Sequence, residues 1–261
     1  MRSRNLIDLA DNPNFISGVH NYCDRWCERC PLTARCVVYA TEEADPDIDP
    51  ASHDITNAAF WQKLASIFQE TREMLTALAE ENGVDLSPSV LADAEEQNDR
   101  KRKKARNHLL ARAAEEYARL VDQWFENDFH QMEVFSDVAE IPGEIIESDE
   151  YVNDYVEVIR WYQFFIAVKL IRSVSSRFNE DEYPGDEVSR DSDGSAKAAL
   201  IAIDRSISAW KQIKELQGYK ADSIQKLLFD LERLRLGVER EFPQARDFIR
   251  PGFDEDLDRL H

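Results

Sequence analysis

The chain has 261 residues, 43% of them hydrophobic, enough for one sizeable core or two small ones. Acidic residues outnumber basic ones 52 to 32, a formal net charge of -20, which argues against broad binding to nucleic acid or to an anionic membrane surface. Eight glycines and nine prolines are few for this length, while Ala, Leu, Glu, Lys and Arg are plentiful, so helix is favoured over strand.

The first element in chain order is a loop carrying all the cysteines of the chain, Cys23, Cys27, Cys30 and Cys36, spaced C-x3-C-x2-C-x5-C. Soft ligands this dense point to a metal, because four thiolates on one short loop can close a shell around a zinc ion or an iron–sulfur cube. Residues 1–15 alternate charge and polarity without an apolar run, so we expect a cytoplasmic protein with reduced thiols, and disulfides rank behind metal.

Cys27-x2-Cys30-Pro31-Leu32-x3-Cys36 resembles the [4Fe-4S] cluster loop of the endonuclease III and adenine glycosylase family, whose motif reads C-x6-C-x2-C-x5-C, often with Pro-Leu after the third cysteine. The resemblance covers residues 23–36 and implies that Cys23, Cys27, Cys30 and Cys36 ligate a [4Fe-4S] cluster. It does not imply glycosylase activity, since no helix–hairpin–helix segment with a glycine-rich hairpin and a following catalytic aspartate is recognisable. The first gap, Asp24-Arg25-Trp26, is shorter than the family's basic loop, so the departure falls on Cys23, and His20 is the candidate substitute ligand.

Two other metal readings stay open. Cys23-x3-Cys27-x2-Cys30 has the spacing of radical S-adenosylmethionine enzymes, but that family needs a β/α barrel and little here reads as strand. Structural zinc is the stronger alternative, because Cys27-x2-Cys30 forms a knuckle and four thiolates suit tetrahedral zinc. At the rim of the loop, Trp26, Tyr22 and Arg35 offer a surface for a protein or redox partner. Residues 41–53, with Pro46 and Pro50, read as a linker and divide the chain into a metal-binding region, 1–53, and a helical region, 54–261.

Five amphipathic helices are expected beyond the linker. In the first, Phe60, Leu64, Ile67, Phe68, Leu75 and Leu78 recur at helical spacing over 54–82, and Gly83 closes it. Ser87-Pro88 starts the second, whose buried stripe is Leu109, Leu110, Ala113, Tyr117, Leu120, Val121 and Trp124. Between them, residues 93–99 are acidic and 100–106 basic, with almost no apolar stripe, so this stretch is expected to protrude or be interrupted. The opposed charge blocks support each other by i to i+4 pairing on a solvated helix, the alternative being an anionic partner.

The third helix begins near Ser148 and carries Val152, Val156, Ile159, Ile166, Leu170 and Val174. Its apolar middle, 161–168, is too short and too charged at its flanks for the ~20 residues of a membrane span. The fourth runs over 195–217 with Leu200, Ile203, Ile207, Trp210 and Ile213, and Gly218 ends it. The fifth carries Ile224, Leu227, Leu228, Leu231, Leu234 and Val238, and Pro243 stops it. Short connections after Gly83 and Gly218 favour antiparallel neighbours. The acidic segment 179–193, with Pro184-Gly185, reads as an exposed connector and lacks the D-x-D/N-x-D/N-G spacing of a calcium loop.

The duplicated Glu-x-x-His signature of di-iron bundles is absent. Glu126-x3-His130, Glu116, Glu157 and Asp204 form no matched pair, and Lys169 reads as a stem laid along a core with its ammonium paired. The expectation is therefore an all-α protein, an up-down bundle of about five helices with an N-terminal four-cysteine loop. That loop holds an iron–sulfur cluster that is structural or transfers electrons. The alternatives are a zinc-binding interaction module and a redox enzyme with a pocket between loop and bundle.

Overall fold

A computed structural model describes residues 12–43, 54–129, 148–182, 191–217 and 222–255. Among the described residues every regular element is helical, as the composition requires, and there is no strand. Three short 3₁₀ turns, Val19–Asn21, Cys27–Arg29 and Thr33–Arg35, precede helix α1 (Val37–Glu43). Then come α2 (Ala58–Asn82), α3 (Pro88–Arg106), α4 (Leu109–Trp124) with a π turn at Phe125–Phe129, α5 (Ser148–Glu182), α6 (Asp191–Gln217) and α7 (Asp222–Glu241). No described helix is long and apolar enough to cross a membrane.

Caps set both ends of α2 and the start of α4. Asn57 accepts the Ala59 amide at 3.0 Å to open α2, and Gly83, at φ 67°, closes it in the left-handed region, with the Val84 amide donating to the Ala79 carbonyl at 2.8 Å. The second helix expected after Pro88 is interrupted and forms two helices. The chain breaks after Arg106, where His108 takes extended backbone and its Nδ1 accepts the Leu110 amide at 3.3 Å, restarting the helix as α4. The break lies where the apolar stripe is missing, so no burial rewards continuity there.

The acidic segment is not wholly a connector. Its first residues finish α5 and its last open α6, while 183–190 lie outside the described residues, as do Gly218, most of the expected linker (44–53) and His130 of the unmatched Glu126-x3-His130 spacing. The acids at the start of α6 have partners on α5. Arg172 binds Asp191 through two nitrogens, at 2.6 and 3.1 Å, Ser176 donates to the same carboxylate at 2.6 Å, and Arg177 lies 3.7 Å from Asp193.

The chain divides into two compact units, Met1–Asp99 with Arg250–His261, and Arg100–Ile249. The boundary expected at 53/54 falls at the edge of residues outside the described set. In the second unit α5 packs most extensively on α6, and α4 on α5, α6 on α7 and α4 on α7 also pair. Direction follows from who meets whom. Asp122 meets Gln163 and Phe125 meets Arg160, Tyr162 meets Arg205, Lys211 meets Glu232 while Asp204 meets Arg235, and Leu110 faces Gly237 while His108 faces Glu241. Each pair of neighbours therefore runs antiparallel.

The core of this unit contains the fully buried Tyr117, Ile159, Tyr162, Ile166, Leu170, Ile203, Trp210 and Leu231. Trp124 meets Trp210 edge to face at 4.8 Å, and the Trp210 indole donates to the Tyr117 hydroxyl at 2.9 Å, so the buried Trp210 and Tyr117 rings have their polar tips paired across helices. A side chain at Gly237 would meet Leu110 Cδ2 at 2.8 Å, which is why α7 can approach α4 closely there.

The first unit differs. Along α2 the stripe expected to be buried is largely open, with Phe68 66% and Leu75 55% exposed, and Ile67 and Leu78 exposed as well. Ala79 is the one buried residue of that helix among the described residues. Periodicity marks an amphipathic face but does not say that the same unit covers it.

Candidate metal centre

The cysteine loop is built from tight turns, each of which hands over a thiol. Gly18, at φ 72°, lets the chain enter the first 3₁₀ turn. Between Cys23 and Cys27 only three residues reverse the chain. They do so with Arg25 in the left-handed region at φ 60° and the Trp26 amide donating to Asp24 Oδ1 at 3.2 Å. A non-glycine residue there costs roughly 1–2 kcal/mol, strain that the surrounding loop must offset.

The next two thiols repeat one device. The Cys30 amide donates to the Cys27 carbonyl and the Cys36 amide to the Thr33 carbonyl, both at 3.1 Å, so each cysteine caps a 3₁₀ turn in extended backbone. The Ile16 amide donates to the Arg35 carbonyl at 3.0 Å and ties the loop's entry to its exit.

Cys23, Cys27, Cys30 and Cys36 form no disulfide, are partly buried, and all line one small cavity of ≈ 20 Å³ that is part open to solvent. Leu32 donates its amide to Cys30 Sγ at 3.4 Å, and the Cys23 thiol donates to the His20 carbonyl at 3.4 Å. His20, the candidate substitute ligand, lines the same cavity. Trp26, expected at an exposed rim, is instead 9% exposed and part of the wall, with the Arg29 guanidinium stacked 4.1 Å from its ring. Tyr22 and Arg35 are half-buried.

Tetrahedral zinc with Zn–S bonds of ~2.3 Å draws its sulfurs to about 3.8 Å from one another. Among the described residues no three His, Cys, Asp or Glu side chains are gathered as a single ion requires. The thiols thus share a cavity without meeting at a point.

One wall was not legible in the sequence. Phe253, from the far end of the chain, lines the cavity. The adjoining Gly252, at φ 75°, is seated so closely that a Cβ there would lie 2.7 Å from Ile16 Cδ1 and 3.2 Å from Leu32 Cδ1. Arg250 fixes this turn with two guanidinium bonds to Asp254, at 2.9 and 3.0 Å, while the Arg250 amide donates to the same carboxylate at 2.9 Å. Pro251-Gly252 signals a turn, but no local pattern says which loop that turn meets.

The other candidate groups do not converge. Glu116 pairs with Arg119, which holds its carboxyl below the usual range, and Asp204 pairs with Arg246 and Arg235. Glu126 borders a shallow open groove with Asp122, Arg160 and Gln163, and Glu157 is exposed. Lys169 is buried with its ammonium 5.3 Å from the Phe165 ring. In the basic run Lys101 donates to Asn179 at 2.9 Å and Lys104 lies 4.0 Å over Phe178, whereas Arg100, Arg102 and Lys103 are exposed. A scan against protein-family models and searches of curated proteins and of solved structures return no match, so the reading of this site rests on its own residues.

Proposed function

We propose that Cys23, Cys27, Cys30 and Cys36 together hold one iron–sulfur cluster of the [4Fe-4S] type, structural or electron-transferring, in a cytoplasmic helical protein. The observation that carries this reading is that every cysteine of the chain lies on the wall of one cavity. Arg25, Arg29 and Arg35 lie on the same loop and offset the negative charge of a thiolate centre, and the Leu32 amide is already placed on a ligand sulfur. When bound, the cluster supplies one-electron chemistry or a rigid cross-link.

We read α4 to α7 as an up-down bundle and the half-buried Tyr22 and Arg35 as part of the surface offered to a protein or redox partner. Zinc is the second reading, favoured by the Cys27 to Cys30 turn, which also has the form of a zinc knuckle. Purification without oxygen separates the two. A brown protein with broad absorbance near ~400 nm and about four irons and four sulfides per chain supports the cluster, whereas colourless protein with one tightly bound zinc establishes the interaction module. Reversible reduction then distinguishes an electron carrier from a structural cluster.

A further inference from the structure

We infer that Gly252 and Phe253 are part of the metal site, as a cover that shields the centre and holds one of its ligands in place. This rests on the metal reading above. Phe253 stands on the cavity wall with the four thiols, so its ring excludes water from that side. Gly252 acts through a neighbour. It is seated against Leu32, which is buried and whose amide donates to Cys30 Sγ. A side chain at position 252 meets Ile16 first, at 2.7 Å, and then Leu32, at 3.2 Å, and through Leu32 it disturbs the hydrogen bond to the Cys30 sulfur. The glycine is required twice, by this close approach and by its left-handed backbone.

Arg250 and Asp254 make the cover a defined turn rather than a loose end. Their fork is bidentate and their side chains are only 16% and 22% exposed, which protects the pair from screening better than a surface ion pair. Solvent exposure and hydrogen bonds to sulfur are what a protein uses to tune a cluster, and loss of such outer contacts commonly changes metal retention 10 to 100-fold. The C-terminal segment thus governs how long the N-terminal loop keeps its metal.

The test uses the full chain, loaded anaerobically and then exposed to air and EDTA, with metal loss followed at ~400 nm for a cluster or with a zinc-sensitive dye for zinc. Phe253→Ser is expected to lose metal at least ~10-fold faster than wild type, Phe253→Leu to remain close to wild type because an apolar cover is restored, and Gly252→Ala to accelerate loss through Leu32. Far-ultraviolet circular dichroism should be unchanged in all three. If Phe253→Ser does not fold, Arg250→Gln, which releases the turn without altering the cavity lining, carries the same expectation. Metal loss at the wild-type rate in the folded variant overturns the cover. A wild-type chain that takes up neither iron nor zinc overturns the metal reading and this inference with it.

Discussion

The two compact units are stabilised by different means. In the second, four helices enclose a core of fully buried aromatic and branched side chains, and its largest rings are tied by a hydrogen bond. In the first, the buried apolar side chains among the described residues are Val19, Trp26, Leu32 and Ala79. So few cannot offset the conformational entropy of ordering a loop, a cost of about 1–2 kcal/mol per residue. A described core this thin is where the proposed metal centre would contribute most, and the four thiols around one cavity are where it would sit. The helical unit needs no such centre.

The sharpest way to break this comparison is to remove the proposed centre. For structural zinc in small domains the metal contributes on the order of 10–16 kcal/mol, and a four-thiolate centre here should act on a similar scale. Cys30→Ala should therefore strip the metal and leave residues 12–43 open to protease, while the Trp210 core stays folded. Limited proteolysis with mass spectrometry, alongside metal analysis, checks both halves. Intact, protease-resistant cysteine turns in metal-free protein would show that the first unit stands without a centre.

The converse experiment deletes core in the second unit. Trp210→Ala removes a fully buried indole and leaves Tyr117 and Trp124 facing a void, so a loss of about 3–5 kcal/mol is expected in urea unfolding. Metal content should not change. A variant that loses metal in proportion to stability would show that the two units do not behave independently.

Much of this division was legible in the sequence, and what was not has a physical cause. Gly83, Pro88 and Pro243 mark helix ends through backbone rules that need no tertiary context, and α2, α3 and α7 begin and end close to them. The grouping of four cysteines on one loop announced the candidate site. The missing apolar stripe over 93–106 signalled an interruption, but its place at His108 was hidden because a histidine is an uncommon cap, and its role depends on an Nδ1 orientation that spacing does not encode. The burial of Ser192 and Asp193 was hidden because an acidic run reads as solvated until Arg172 and Arg177, on another helix, are seen beside it. Phe253 is the clearest case, since contact between residues more than two hundred positions apart leaves no periodic trace.

A smaller effect sharpens the account of the helical core. Tyr117 is buried, and burial pushes its phenol above the ordinary value despite the hydrogen bond from Trp210 that lowers it. The folded state then keeps a proton that the unfolded chain releases near pH ~10, so the stability contributed by the neutral phenol is present below that pH and is lost as pH rises above it. Tyr117→Phe should remove this alkaline dependence. At neutral pH it should cost about 1–3 kcal/mol, because the Trp210 indole is left buried without its acceptor. Unfolding curves at pH 7 and pH 11 for both proteins measure the two effects together.

The smallest expected effect tests the open face of α2. Phe68 and Leu75 lie one heptad apart on that helix and are both largely exposed, so replacing them should remove almost no buried area within the first unit. The helix has its own supports, an Asn57 cap, a Gly83 closure and side-chain bonds from Ser66 to Glu70 and Gln69 to Glu73, none of which involves either residue. Glutamine has a helix propensity close to that of leucine, so the backbone term is also small. Phe68→Gln with Leu75→Gln should thus shift stability by no more than about 0.5 kcal/mol and leave metal content unchanged, while raising solubility. A loss several times larger in thermal unfolding, at a concentration where wild type is measured alongside, would show that this face is covered in solution, and the contrast between a bare first unit and a packed second one would then have to be withdrawn.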